Sequence, residues 1–251
     1  MESKKIILAL AVKYQGEWEK IYNAMSTKEY QNLDEQFVEE TYEQFKGRFI
    51  TILDKEYPDN LKQVYKPPFV LFYEGNINVL NNENVKIAIS DSRNLETSER
   101  DVAMSMLSNL PNKSILILGG EGELSKKETL SNTQIMVLGY NPSNCDNQLK
   151  QKVLGNGGVI VSESPLNERN KDMLASRYRI MSGLCDKVFI LTPVKKISGI
   201  NMLVAIALTQ GKDVMVIPQT PTPKDDSINN ELIYQGAIPV YNQQTLCDNL
   251  S

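Results

Sequence analysis

Arg177, Tyr178 and Arg179 stand together ahead of the run Ile180-Met181-Ser182-Gly183-Leu184, a grouping that could hold phosphate. A guanidinium is permanently charged and forks onto two oxygens. The same residues also fit a helix whose arginines are solvated or ion-paired. Ser198-Gly199 precedes an apolar helical pattern with Met202, Leu203, Ala205, Ile206 and Leu208. A serine cap followed by free backbone N–H groups is a ready anion site, and equally an ordinary helix start. Gly119-Gly120-Glu121-Gly122 follows an apolar run, where a phosphate-cradling loop belongs. It lacks the third glycine of a dinucleotide fingerprint, and no Gly-Lys-Ser/Thr completes a Walker loop. A tight turn needing positive φ accounts for it as well. The chain has no histidine, which removes the commonest general base and the usual serine or cysteine triads. Cys145, Cys185 and Cys247 are widely spaced and form no CxxC pair. Buried reduced thiols are expected, with no disulfide framework, no metal site and no cofactor.

The elements that must position these residues are legible as short apolar runs: Phe49–Leu53, Phe69–Tyr73, Val85–Ile89, Ser114–Leu118, Gln134–Leu138, Gly158–Val161, Val188–Leu191 and Asp213–Ile217. Runs of this kind, unbroken by polar alternation, suit strands buried on both faces of a parallel sheet. Helical patterns over 96–110, 144–155, 168–183 and 199–211 separate most of the later ones. The alternation predicts an α/β fold, a Rossmann-like, doubly wound and mainly parallel sheet. Pro67-Pro68, Gly75, Gly119-Gly120, Gly157-Gly158 and Pro218 mark the joints. Ligands of such sheets bind outside the carboxyl ends of the strands. The places to search are then Ser90–Arg93, Gly119–Glu123, Ser162–Pro165, Thr192–Gly199 and Pro218 onward.

Residues 1–46 read as a small helical appendage, with 47–251 as the Rossmann-like domain. Trp18, Ile21, Tyr22 and Met25, then Phe37, Val38, Thr41, Tyr42 and Phe45, recur at helical spacing. Ser26 with Glu29 predicts a capping box that opens a second helix. The run Ile6–Val12 is too short for a bilayer, which needs about 20 residues, and Lys13 breaks it without a small-residue cleavage site. It is read as a buried helix of a cytoplasmic protein. The net charge is −4 and the sequence pI about 5.2. Residues 1–46 hold nine Asp/Glu against six Lys/Arg, leaving the larger part close to neutral. A nucleic-acid site must therefore be a local patch and not a global field.

Seven segments in order resemble the DprA/Smf family of DNA-processing proteins. Tyr57-Pro58-Asp59-Asn60-Leu61 with Pro67–Asn76 is similar to the family's "YPxxL…PPxxLyxxGn", and Val85–Ile89 with Asp91-Ser92-Arg93 to "vaivGSR". Gly158–Pro165 resembles "llSEyP", and Ala175–Leu184 resembles "FPxRNRiisGLs". Ser198-Gly199, Gly211–Val214 with Ile217-Pro218, and Asn230–Ala237 follow "SGsl", "gRdVfavPG" and "N.LI..GA". The resemblance covers roughly residues 55–245. It implies an extended Rossmann-like domain that dimerises, binds single-stranded DNA without catalysing a reaction, and helps load a RecA-type recombinase during natural transformation. By this correspondence Ser92 and Arg93, Gly119 and Gly120, Arg177 and Arg179, and Ser198 and Gly199 are the expected DNA-binding residues.

The chain departs from the family pattern at Asp91 for a glycine, Glu121 and Glu123 in a shortened glycine loop, Thr133 for a basic residue, Tyr178 for an asparagine and Gln219 for a glycine. These changes are expected to fall on the pocket, leaving a kept fold with an altered site. Two other readings stay open. One is a divergent paralogue acting through protein contacts without DNA. The other is a LOG-type nucleotide phosphoribohydrolase, with Glu123 or Glu128 as the acid, because Gly119–Glu123 resembles "PGGxGTxxE".

Overall fold

The apolar runs become strands because each is rich in Ile, Val and Leu and is cut by a glycine, a proline or a polar turn. The computed structural model describes residues 2–250 apart from 91–95, 109, 111–113, 121, 123, 126–129, 169–170, 192–199 and 221–227. Among the described residues the strands are β1 (Phe49–Thr51), β2 (Val70–Gly75), β3 (Lys86–Ile89), β4 (Ile115–Leu118), β5 (Gln134–Val137), β6 (Val159–Ser162), β7 (Lys187–Ile190), β8 (Asp213–Val216) and β9 (Ile238–Pro239). They form one sheet in the order β1-β2-β6-β5-β4-β3-β7-β8-β9. From β6 to β9 all neighbours are parallel, while β2 runs antiparallel to both β6 and β1. The Rossmann-like, mainly parallel sheet expected from the sequence is thus present, and strand order reverses between β3 and β7. The two-residue β9 has no counterpart among the predicted strands, being too short to carry a periodic signal.

Alternate residues of the central strands feed two cores, as the pleat requires. Ala88, Ile117, Ile135, Val161, Val188 and Ile190 face one side. There they meet Ile180, Met181 and Leu184 of one helix and Leu203, Val204 and Ala207 of the next. Ile87, Ile89, Leu116, Met136, Ile160 and Phe189 face the other side, against Ala103, Leu107, Leu149, Val153 and Leu246. The predicted helices lie at Thr97–Ser108, Asn147–Gly155, Lys171–Leu184 and Ile200–Thr209.

The N-terminal segment folds as α1 (Ser3–Lys13), α2 (Trp18–Ser26) and α3 (Glu35–Phe45), with Ile7–Ala11 buried as expected. These helices share a core with Phe49 of β1 and with Val70 and Phe72 of β2. The expected capping box at Ser26 is not formed. Ser26 ends α2 and donates to the Tyr22 carbonyl at 2.9 Å, and the Glu29 carboxylate turns to Lys13 and Tyr14. The third helix starts instead from Asp34, whose side chain accepts the Gln36 N–H at 3.1 Å. A reciprocal capping box does occur, at Asn242 and Thr245.

One largely buried ion pair ties the segment entering β2 to the sheet. Arg179 reaches Glu163, just past the carboxyl end of β6, at 2.5 Å, and also donates to the Lys66 carbonyl. Lys66 is left-handed, with φ 56°, and the Arg179 bond satisfies the carbonyl that this turn exposes. Beside it the buried Tyr57 hydroxyl donates to the Pro68 carbonyl at 2.7 Å. Burial pushes the Tyr57 phenol far above its usual range, with Arg179 opposing that shift and Glu163 adding to it. Glu163→Ala is therefore expected to destabilise the fold by roughly 3–5 kcal/mol in urea unfolding, because it strands a buried guanidinium. Pairing Glu163→Leu with Arg179→Met should recover most of that loss.

Burial raises the Cys145 thiol to about 11 and the Cys185 thiol to about 12. Both stay protonated near neutrality, and the thiolate is the reactive form. Iodoacetamide at pH 8 should modify the half-exposed Cys247 well before either of them, as peptide mass mapping over time would reveal.

Candidate nucleic-acid interface

The reversal between β3 and β7 opens a crevice at the carboxyl rim of the sheet. Its walls are Ile89 and Ser90 at the end of β3, Gly119 and Gly122 after β4, Arg177, Tyr178 and Met181 on the helix Lys171–Leu184, and Ile200 and Leu203 on the helix Ile200–Thr209. It is a shallow, partly open crevice, with about 270 Å³ of free space when the open solvent at its mouth is included. Ser90 stitches the reversal together: its N–H donates to the Phe189 carbonyl and its Oγ accepts the Leu191 N–H at 3.1 Å. The side chain that reads as a strand-end serine is therefore structural, holding the two diverging segments at fixed separation.

Arg177 forms the polar wall. Its side chain is buried, the residue being 7% exposed. Nη1 donates to the Gly119 carbonyl at 2.9 Å, and Nη2 lies 3.4 Å from the Tyr178 hydroxyl. The guanidinium carbon sits 5.1 Å from the centre of the Tyr178 ring. Gly119 leaves room for this packing, since a Cβ there would lie 3.2 Å from that carbon and push the guanidinium aside by a few tenths of an ångström. The next residue, Gly120, is left-handed at φ 70°, and a Cβ would come within 2.6 Å of Leu138. Both glycines thus have steric reasons, and only the first borders the crevice.

Among the described residues no carboxylate pairs with Arg177, and its Nε is buried without a partner. Arginine cannot shed its charge in a protein, and an uncompensated buried charge costs on the order of several kcal/mol. An anion in the crevice would repay that cost with a forked, charge-assisted contact. The helix Ile200–Thr209 begins at the same crevice, and the partial positive charge of its N-terminal end acts in the same direction.

The expected site residues divide. Gly119 and Arg177 come together here. Arg179, two positions further along the helix and so about 200° round it, points instead to Glu163 and Lys66. Ser92, Arg93, Ser198 and Gly199 lie outside the described residues, as do Asp91, Glu121, Glu123 and Glu128. Thr133, expected at the pocket, precedes β5 and so occupies the amino rim, where its hydroxyl donates to the Asn156 carbonyl at 3.2 Å. The parallel direction of β5 puts that departure at the far end from the crevice. Gln219 is clasped from both sides by the Asn230 side chain at 3.0 and 2.7 Å, and Asn229 holds the Ile217 carbonyl at 3.1 Å. Sequence reading missed the stapling role of these asparagines. Two consecutive Asn at a helix start, ten residues after Gln219, are the signal that could have found it. Among the described residues no cluster of His, Cys, Asp and Glu is arranged to hold a metal ion, and no helix is long and apolar enough to cross a membrane.

The family model for DNA recombination-mediator protein A matches residues 48–251. DNA processing protein DprA of Streptococcus pneumoniae (strain ATCC BAA-255 / R6) is 27% identical over 225 residues, 85% of this chain and 77% of that protein. Protein Smf of Borreliella burgdorferi is 26% identical over 190 residues, 71% of this chain and 59% of that protein. Among solved structures, DprA from Streptococcus pneumoniae superposes with a TM-score of 0.74 at 23% identity, covering 100% of this chain and 94% of that one. DNA processing protein A from Helicobacter pylori, solved for its single-stranded DNA binding mode, gives a TM-score of 0.65 at 22% identity over 80% of this chain and 95% of that one. A family match running from Arg48 to the last residue shows that this chain belongs to the DNA recombination-mediator protein A family.

Proposed function

We propose that this chain binds single-stranded DNA at the β3/β7 crevice, with phosphate seated on Arg177 and the N-terminal end of the helix Ile200–Thr209. The observation that carries the reading is the buried Arg177 guanidinium, unpaired at Nε, on the rim where doubly wound sheets take their ligands. Arg93 follows Ser90 by three residues and supplies a second cation to the same site, with Ser92, Ser198 and Gly199 as further backbone or hydroxyl donors. Membership of the family, and the likeness to a Helicobacter pylori relative solved for its single-stranded DNA binding mode, support this ligand class. The protein then acts without catalysis as a cytoplasmic recombination mediator, a homodimer that hands the strand to a RecA-type recombinase.

The net charge of −4, with Asp91, Glu121 and Glu123 in the adjoining sequence, favours a second reading, a paralogue that works by protein contacts alone. Fluorescence anisotropy with a labelled oligonucleotide across a salt series separates the two. Wild type should bind at low salt and weaken steeply as salt rises, because neutralised phosphates release counterions. Arg93→Ala should bind more weakly and with a log–log salt slope smaller by about 1. Arg177→Lys keeps the charge and loses the fork, and should weaken binding by about tenfold, with thermal unfolding checked alongside. No binding at low salt would sink the DNA reading.

A further inference from the structure

Outside the crevice, the carboxyl rim carries a stacked group of aromatic rings that nothing above uses. Trp18 lies against Tyr22, with ring centres 5.0 Å apart and planes within 10°, and against Phe69 at 5.2 Å and 21°. The Trp18 indole N–H donates to the Pro67 carbonyl at 2.8 Å, which fixes the stack to the segment entering β2. The inner end is closed by the core contacts of Phe69. The outer end is the Tyr22 ring, 48% exposed, in a plane nearly parallel to the indole. Tyr65, one residue before Lys66, is 81% exposed. The Lys66 ammonium lies over both the Trp18 and Tyr65 rings, at 5.7 and 5.2 Å. Lys66 pairs with Glu19, which is exposed; such a pair contributes little and yields to a competing anion.

Topology sets this group on the same edge as the crevice. Because β2 is antiparallel to β6, the residues leading into β2 lie beyond the carboxyl end of β6. A Cβ added to Gly16, just before α2, would lie 3.1 Å from the Glu163 carbonyl there. The Arg179 contact to the Lys66 carbonyl binds the two regions together from the helix that also carries Arg177. Gly119 and Phe69 are separated by the step from β4 through β5 and β6 to β2, about 14 Å at ordinary strand spacing.

We propose that Tyr22, Tyr65 and Lys66 form a second contact surface for single-stranded nucleic acid, in which a base extends the Tyr22–Trp18–Phe69 stack and its phosphate displaces Glu19 from Lys66. This rests on the single-strand reading above. Flat exposed rings interleaved with a cation are what a sequence-tolerant strand path needs, since every base offers a π-face. Continuity with the Arg177 crevice along one rim favours this occupant over a protein partner.

Alanine at Tyr22 or Tyr65 should weaken binding of an oligothymidylate by about five- to tenfold, whereas Tyr22→Phe and Tyr65→Phe should bind as wild type. The chain has a single tryptophan. In a Trp18→Phe, Tyr22→Trp variant, oligothymidylate should quench the emission to saturation, and an abasic strand of equal length should not. Thermal unfolding confirms that each variant is folded. Wild-type affinity in both alanine variants, or emission that oligothymidylate leaves unchanged while anisotropy reports binding, would overturn the inference and leave the crevice reading standing. Loss of affinity in the tyrosine variants, with Arg93→Ala and Arg177→Lys unaffected, would do the reverse.

Discussion

A guanidinium buried against a glycine carbonyl, with no carboxylate beside it among the described residues, is the interaction from which the rest of this molecule is understood. A guanidinium is a fixed cation, so the surroundings must tolerate it or supply an anion. Gly119 gives it room, and the helix carrying it is anchored by Ile180, Met181 and Leu184 in the sheet core. Ser90 ties the neighbouring strand ends together. Each of these is a packing or hydrogen-bonding requirement, and together they present a cation at the mouth of a crevice in a chain whose overall charge is negative.

Arg179 shows how the same chemistry serves a different end two residues away. It meets a buried carboxylate, and the pair fastens the segment before β2 to the end of β6. The helical layer α1–α3 is fixed to the sheet through that segment and through a core shared with β1 and β2. One consequence is that the N-terminal aromatics stand on the functional rim. Had β2 run parallel to β6, the segment leading into it would have emerged at the opposite edge.

The strands and helices of the α/β body were readable because each carries a local signal: apolar runs of four or five residues, glycine or proline breaks, and helical spacing between them. The Ser26–Glu29 pattern misled because a capping box is a short motif satisfied by chance. Tertiary partners for Glu29, namely Lys13 and Tyr14, outweighed the local bond. Thr133 was grouped with the pocket because order along the chain does not say which rim a residue occupies. Strand direction does.

The sequence by itself determined the class of fold, the rim on which a ligand should be sought, the family resemblance and the absence of histidine chemistry, since all of these depend on residue type and short-range periodicity. Tertiary structure alone decided which arginine faces the crevice and which is spent on a carboxylate. It also decided that Ser90, Asn229 and Asn230 act as staples and that Trp18 meets Phe69 across 51 positions of chain. Those outcomes depend on which groups meet when distant segments pack, and a buried charge or ring takes its role from the partner it finds there.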